Sequence, residues 1–252
     1  MMRKKGQVDN EKEMNLVGHL SELRNRIIVT GLFFVAFFII AFIYVKDIYR
    51  FLEGDIDFSL AITSPTEVIW IYVSIAAIVA TIGTLPVFSL QLWLFIKPGL
   101  KSNERKASLS YIPPIFFLFV IGLVFGYLLF SNFILPFLIS LNDDMFIQLF
   151  TVDKYYRFMF QIMLIFGILF EVPVITMFLT SLGILSPAFL KKTRKYAYFV
   201  LLIVSALVTP PDIFLQLVVA VPLFLLYEIS IYFSNVVYKR KEKKHKAFMN
   251  EN

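Results

Sequence analysis

The sequence contains no cysteine, which excludes a disulfide framework, a thiolate metal site and a cysteine nucleophile. Histidine is nearly as scarce: His19 and His245 both stand in charged, polar flanks. A histidine metal site or a Ser/His dyad inside an apolar run is therefore excluded. Charge is also thin. Only 17% of the 252 residues are Asp, Glu, Lys or Arg, against 59% hydrophobic, and the mean hydropathy is +0.77. A soluble domain of this length needs more charge to cover its surface. The charges are absent from long runs and clustered between them, as in a chain that crosses a bilayer several times. No catalytic residue, metal or cofactor is expected.

What is present is a series of apolar runs. A spanning helix needs about 20 apolar residues at about 1.5 Å rise each. Residues 27–45 are uncharged and form the first expected span. A cleavable signal peptide has a short basic start, a shorter apolar run and a small-residue cleavage site. None of these is seen, so the first run is expected to be retained. Span two is expected over 68–96, with Pro86 to kink or end it. Span three, 111–136, lies in the charge-free stretch between Lys106 and Asp143, and span four, 158–185, carries one internal acid, Glu171.

Residues 196–211 and 213–227 follow, broken by Thr209-Pro210-Pro211-Asp212. One kinked helix or two spans would fit. Two adjacent prolines followed by an acid more often make a turn, which favours two. Each would hold only about 15 residues, or about 23 Å, against about 30 Å of hydrocarbon. Spans five and six are therefore expected to be short, a mismatch met by local thinning or by burial against other helices.

Charge placement gives the topology. With six spans, one side holds six basic residues of the N-terminal tail, four in 98–110 with its flank, four in 186–195 and six in the C-terminal tail, making 20 of the 24 Lys and Arg. The other side keeps Lys46, Arg50, Lys154 and Arg157. Basic loops stay in the cytoplasm, so both termini are expected inside. The expected fold is thus an all-α membrane protein of six transmembrane helices in the cell membrane. It divides into a cytoplasmic tail with an amphipathic helix (1–26), a six-span domain (27–238) and a basic cytoplasmic tail (239–252). The basic inner face suits anionic lipid headgroups, and no nucleic acid is needed to explain it. No internal repeat is visible, which weighs against an inverted-repeat transporter.

Several motifs stand out, each beside a plainer explanation. Leu16, Leu20, Leu23 and Ile27 form one apolar stripe around Gly18-His19-Leu20-Ser21-Glu22-Leu23-Arg24-Asn25-Arg26. It reads as an amphipathic helix at the inner surface, or as a solvated helix with a Glu22–Arg26 i,i+4 pair. Pro98-Gly99 marks a turn in a basic loop whose one acid is Glu104, a group that a local salt bridge to Arg105 or Lys106 would also explain. Glu171, in Phe170-Glu171-Val172-Pro173, is a mid-span acid and so a functional candidate, or else a neutral structural one. Asp212 is placed to cap the start of span six. Gly122-xxx-Gly126 is a weak helix-packing signal.

Taken together, the motifs resemble the TatC family, the multi-spanning receptor subunit of the twin-arginine protein translocase. The matching elements are His19-Leu20-Ser21-Glu22-Leu23-Arg24, Pro65, Leu92-Trp93-Leu94-Phe95 leading into Pro98-Gly99-Leu100 and Glu104-Arg105, Phe170-Glu171-Val172-Pro173, and Thr209-Pro210-Pro211-Asp212. They occur in order from about residue 14 to about residue 235. The resemblance implies binding of signal peptides with two consecutive arginines on folded cargo. It also implies self-association and recruitment of single-span TatA-type subunits, driven by the protonmotive force.

By the same resemblance, Glu22, Phe95 and Glu104 belong to the peptide site. Glu171 and Asp212 are candidate intramembrane or partner contacts, and Pro65, Pro98, Gly99, Pro210 and Pro211 shape turns. The chemistry agrees. A carboxylate accepts an arginine fork through two parallel hydrogen bonds that lysine cannot reproduce, so two acids serve two arginines. Phe95 suits an apolar side chain of the peptide or stacking on a guanidinium. A secondary transporter or proton-coupled channel, with Glu171 and Asp212 as relay acids, is the alternative; it has only one clear midplane acid. A membrane-embedded hydrolase would want His, Cys or paired intramembrane Asp residues.

Overall fold

The computed structural model describes residues 3–53, 60–97, 109–141 and 150–250. Glu104, Pro98 and Gly99 lie outside them. Helix α1 (Arg3–Ile43) is followed by α2 (Val45–Glu53), α3 (Pro65–Ile96), α4 (Ile112–Leu129), a π-helical turn (Phe130–Ile134), α5 (Leu135–Ser140), α6 (Val152–Leu169), α7 (Val172–Leu182), α8 (Pro187–Val208) and α9 (Ile213–Asn250).

Local chemistry sets these boundaries. Ser64 caps α3, its hydroxyl accepting from the Thr66 N–H at 3.3 Å, and Pro65 follows at the first helical position, where its missing N–H costs nothing. Ser186 and Pro187 repeat this at the start of α8, Ser186 accepting from the Phe189 N–H at 3.2 Å. The π-helical turn ends just before Pro136. A proline ring clashes with the carbonyl four residues earlier, here that of Asn132, and the wider turn relieves the crowding.

Pro173 has a stronger effect. It cannot donate to the Leu169 carbonyl, and the helix breaks between α6 and α7 at Phe170 and Glu171. Expected span four is therefore two helices. Gly183, at φ 83°, ends α7 in the left-handed conformation, and the Ile184 N–H returns to the Leu179 carbonyl at 3.0 Å.

The segment holding Leu16, Leu20, Leu23 and Ile27 is helical and continuous with the first span inside α1, and Arg26 pairs with Glu22 at 2.6 Å. One sequence expectation needs correction. Span six does not stop at Tyr227. Helix α9 passes through Glu228, which accepts from Arg194 at 2.7 Å and from the Tyr198 hydroxyl at 2.5 Å, both on α8. With its charge paired, the acid does not interrupt the helix.

Among the described residues, five helical stretches are long and apolar enough to cross a membrane: Leu20–Ile43, Pro65–Ile96, Ile112–Ser140, Val152–Leu182 and Ile213–Lys243. Helix α8 opens with Lys191, Lys192, Arg194 and Lys195, and its apolar part, 196–208, covers only about 20 Å at helical rise.

Helices α3, α4 and α6 pack around one core, with α1 laid on α3. Helix α9 packs on α7 and α8, and sends Leu215, Val219 and Leu223 into the same core as Ile71, Ile75, Phe130, Tyr156 and Phe166. The α4–α6 contact is close because of two glycines. A Cβ at Gly122 would sit 2.6 Å from the Phe166 carbonyl oxygen, and one at Gly126 would sit 2.7 Å from the Met163 Cα. The glycine spacing seen in the sequence is thus a packing face.

The loops after α2 and before α6 join in a short parallel bridge, with the Ala61 N–H on Phe150 (2.9 Å) and the Val152 N–H on Ala61 (3.0 Å). Leu32, Ile43, Leu207 and Ile213 on the outer faces are each at least 65% exposed, a surface suited to hydrocarbon and not to water.

Candidate functional site

Helices α1 and α3 run antiparallel, which brings the polar start of the α1 apolar run to the end of α3. Glu22 and Arg26 are one turn apart on α1 and so share a face. Gln91 and Phe95 are one turn apart on α3. The Arg26 guanidinium links the two helices. Its Nε and one terminal nitrogen donate to the same Glu22 oxygen at 3.2 and 2.6 Å, and the other terminal nitrogen donates to the Gln91 side-chain oxygen at 3.0 Å.

Ser21, Glu22, Asn25, Arg26, Val29 and Gln91 line an open polar cavity of about 520 Å³. Phe95 is half-buried one turn beyond Gln91, and Lys97 lies over the Trp93 ring at 5.2 Å from its centroid. Glu22 and the α3 turn carrying Phe95 thus meet at one junction, with a carboxylate already engaged by a guanidinium. Gln91 escaped the sequence reading: it is a neutral amide in an apolar run, and its partner lies 65 residues away.

Glu171 sits elsewhere, at the α6–α7 break. It is buried, and neither carboxylate oxygen has a hydrogen-bond partner among the described residues. Its backbone is fully used, the N–H on Ile168 at 3.1 Å and the carbonyl accepting from Ile175 at 2.9 Å. A buried carboxyl in this condition needs a proton, a water or a partner group.

Asp212 takes the capping role expected of it, accepting from the Leu215 N–H at 2.9 Å, with Pro210 and Pro211 forming the turn from α8 to α9. The sequence reading also missed the Arg194–Glu228–Tyr198 group, which ties α8 to α9. No cluster of three or more metal-ligating side chains occurs among the described residues.

Long apolar helices and an apolar outer surface define a multi-pass helical membrane protein. The chain belongs to the TatC family: residues 18–222 match the family model described as Sec-independent protein translocase protein (TatC). It is 46% identical over 238 residues to the Sec-independent protein translocase protein TatCd of Bacillus subtilis (strain 168), covering 94% of this chain and 98% of that protein. It is 41% identical to the TatC of Halalkalibacterium halodurans, with coverage of 96% and 97%. Among solved structures, the fold is similar to the crystal structure of the twin-arginine translocase receptor TatC, with a TM-score of 0.76 and 32% identity, covering 87% of this chain and 99% of that one. The protein is a translocase component that acts with other proteins, and it is not an enzyme.

Proposed function

We infer that this chain is the receptor subunit of a twin-arginine translocase, binding twin-arginine signal peptides at the α1–α3 junction. The observation that carries the reading is the Glu22 carboxylate, held beside the turn of Phe95 and already accepting two N–H groups of one guanidinium. Glu22 and Glu104 each take one arginine of the peptide, and Phe95 takes an apolar neighbour or stacks on a guanidinium. The similarity to the solved structure of a twin-arginine translocase receptor supports the assignment. Cross-linking a twin-arginine peptide to the full chain in membranes tests it. Undiminished cross-linking after Glu22→Ala and Glu104→Ala overturns it.

The chain spans the cytoplasmic membrane six times with both termini inside, α8 serving as the short fifth span. The basic asymmetry supports this orientation. Since no native cysteine interferes, an Asn252→Cys variant labelled from outside would refute it. Single-span TatA-type subunits and further copies of the chain assemble on the membrane-facing helices, with Glu171 the polar contact for a partner helix and Asp212 shaping the turn between α8 and α9. Folded cargo then crosses under the protonmotive force. Co-purification of a single-span subunit with the chain tests the assembly; solute flux through this chain alone would favour a transporter instead.

A further inference from the structure

We propose that the groove where α8 and α9 meet the α6–α7 break binds one anionic glycerophospholipid, with an acyl chain in the groove and the phosphate on Lys192 and Lys195. This gives a particular place to the general match between the basic face and anionic headgroups. The site rests on α8 crossing the membrane, as proposed above, and not on the peptide site.

The groove is a cavity of about 300 Å³, walled by Leu169 and Val172 beside the break, Ala197 and Leu201 on α8, and Leu223 on α9. It follows α8 from Thr193 to Leu201, about 12 Å at helical rise. Spread over that length, the volume matches the section of a hydrocarbon chain and not that of an α-helix, which is about 10–12 Å across. The polar groups in the wall are already used. The Tyr227 hydroxyl donates to the Leu190 carbonyl at 2.9 Å, and the Thr193 hydroxyl donates to the Phe189 carbonyl at 3.0 Å. An occupant therefore meets only hydrocarbon. On the open side Tyr196 and Val200 are 64% and 56% exposed, so a chain enters sideways from the bilayer.

Charge gathers at one end of this groove. Residues 186–208 carry Lys191, Lys192, Arg194 and Lys195 and no acid. Arg194 is committed to Glu228 on α9 at 2.7 Å, which leaves that wall neutral. Lys192 stands one turn before Tyr196 on the groove side of α8. The Lys195 Nζ lies over the Tyr196 ring, 5.1 Å from its centroid. Both lysines are exposed. An ammonium is a flexible point donor that suits a phosphate diester without demanding a fork geometry. A tyrosine between charge and hydrocarbon is the side chain expected at headgroup level.

The test takes the full chain, stripped of lipid in detergent, and offers phosphatidylglycerol or phosphatidylcholine with identical acyl chains. Retained lipid is counted by native mass spectrometry. Phosphatidylglycerol is expected to be retained roughly tenfold better, the scale of two lysines at a membrane surface. Lys192→Gln combined with Lys195→Gln should bring it down to the phosphatidylcholine level. Ala197→Phe fills the groove, keeps both lysines and should lower retention of both lipids. Val200→Trp, on the exposed side, serves if Ala197→Phe fails to accumulate.

Equal retention of the two lipids by the unaltered protein would overturn the proposal, as would undiminished phosphatidylglycerol binding in the lysine variant. Glycerol phosphate protecting against thermal unfolding as well as phosphatidylglycerol does would mean a headgroup site without a chain, and would overturn it too. If the groove-filling variants keep phosphatidylglycerol but lose a co-purifying single-span subunit, the groove belongs to a protein partner and the proposal fails. The receptor reading fails separately, through peptide cross-linking in the Glu22 and Glu104 variants.

Discussion

Glu22 and Glu171 are both acids in an apolar chain, and they are handled in opposite ways. Glu22 stands at the α1–α3 junction beside an open cavity, with a guanidinium on its carboxylate and a glutamine holding that guanidinium from across the junction. Glu171 is buried where Pro173 breaks a helix, and neither of its oxygens has a partner among the described residues. The first acid lines an accessible polar cavity, an environment suited to the proposed recognition step. The second is enclosed among packed helices, an environment suited to the proposed assembly contact.

The broadest way to break the comparison is to remove the scaffold that both regions share. Gly122→Leu forces a side chain onto the Phe166 carbonyl, 2.6 Å from the new Cβ. It is expected to destabilise the α4–α6 contact by several kcal/mol, with loss of intact protein from the membrane and of both functions together. Normal accumulation of this variant would show that the packing is not needed.

The next effect separates the regions. Glu22→Ala removes a charge-assisted acceptor, with an expected cost of about 1.5–3 kcal/mol, or roughly ten- to hundredfold in peptide binding. Glu22→Gln should cost nearly as much, read by the same cross-linking assay. Glu171→Leu should leave peptide cross-linking intact and impair export of a folded reporter. Glu171→Gln, which keeps hydrogen bonding without charge, should preserve much of that export. If Leu at this position abolishes peptide binding too, the two acids serve one site and the contrast fails.

The smallest effect concerns Glu228. Its pair with Arg194 is more than a third exposed, so Glu228→Gln should cost less than about 1 kcal/mol of stability after solvent screening. Thermal unfolding would register a small downward shift, while peptide binding and export stay unchanged.

How much of this was legible in the sequence depended on how far each cause acts along the chain. Long uncharged runs marked the apolar helices, because a bilayer demands length and composition within one segment. The Pro210-Pro211-Asp212 turn was readable for the same reason, since capping acts within three residues. Gly122 and Gly126 announced a close helix contact through spacing alone.

Other features depended on distant partners. Glu228 read as the end of a span until Arg194 and Tyr198, about thirty residues earlier, supplied its bonds. Gln91 carried no signal without Arg26. The break at Phe170 and Glu171 follows from Pro173, but a proline in a long apolar run is equally compatible with an unbroken helix, as Pro86 in α3 and Pro222 in α9 show. The stripe from Leu16 to Ile27 was legible as helical, because periodicity reports a face; where that helix ends it does not report, and α1 runs on through the first span.

The unbroken course of α9 has a mechanical consequence. At 38 residues it is about 57 Å long, nearly twice the thickness of the hydrocarbon it crosses. Its beginning is fixed by Asp212 at one rim of the bundle, and far along it Lys241 reaches across to the Ser181 carbonyl near the end of α7, at 2.9 Å. Between these two fastenings the missing N–H of Pro222 is a soft joint. The helix is therefore a strut lashed at both ends: a torque applied to its basic tail is carried to the opposite rim, and what it cannot carry is taken up as bending at Pro222.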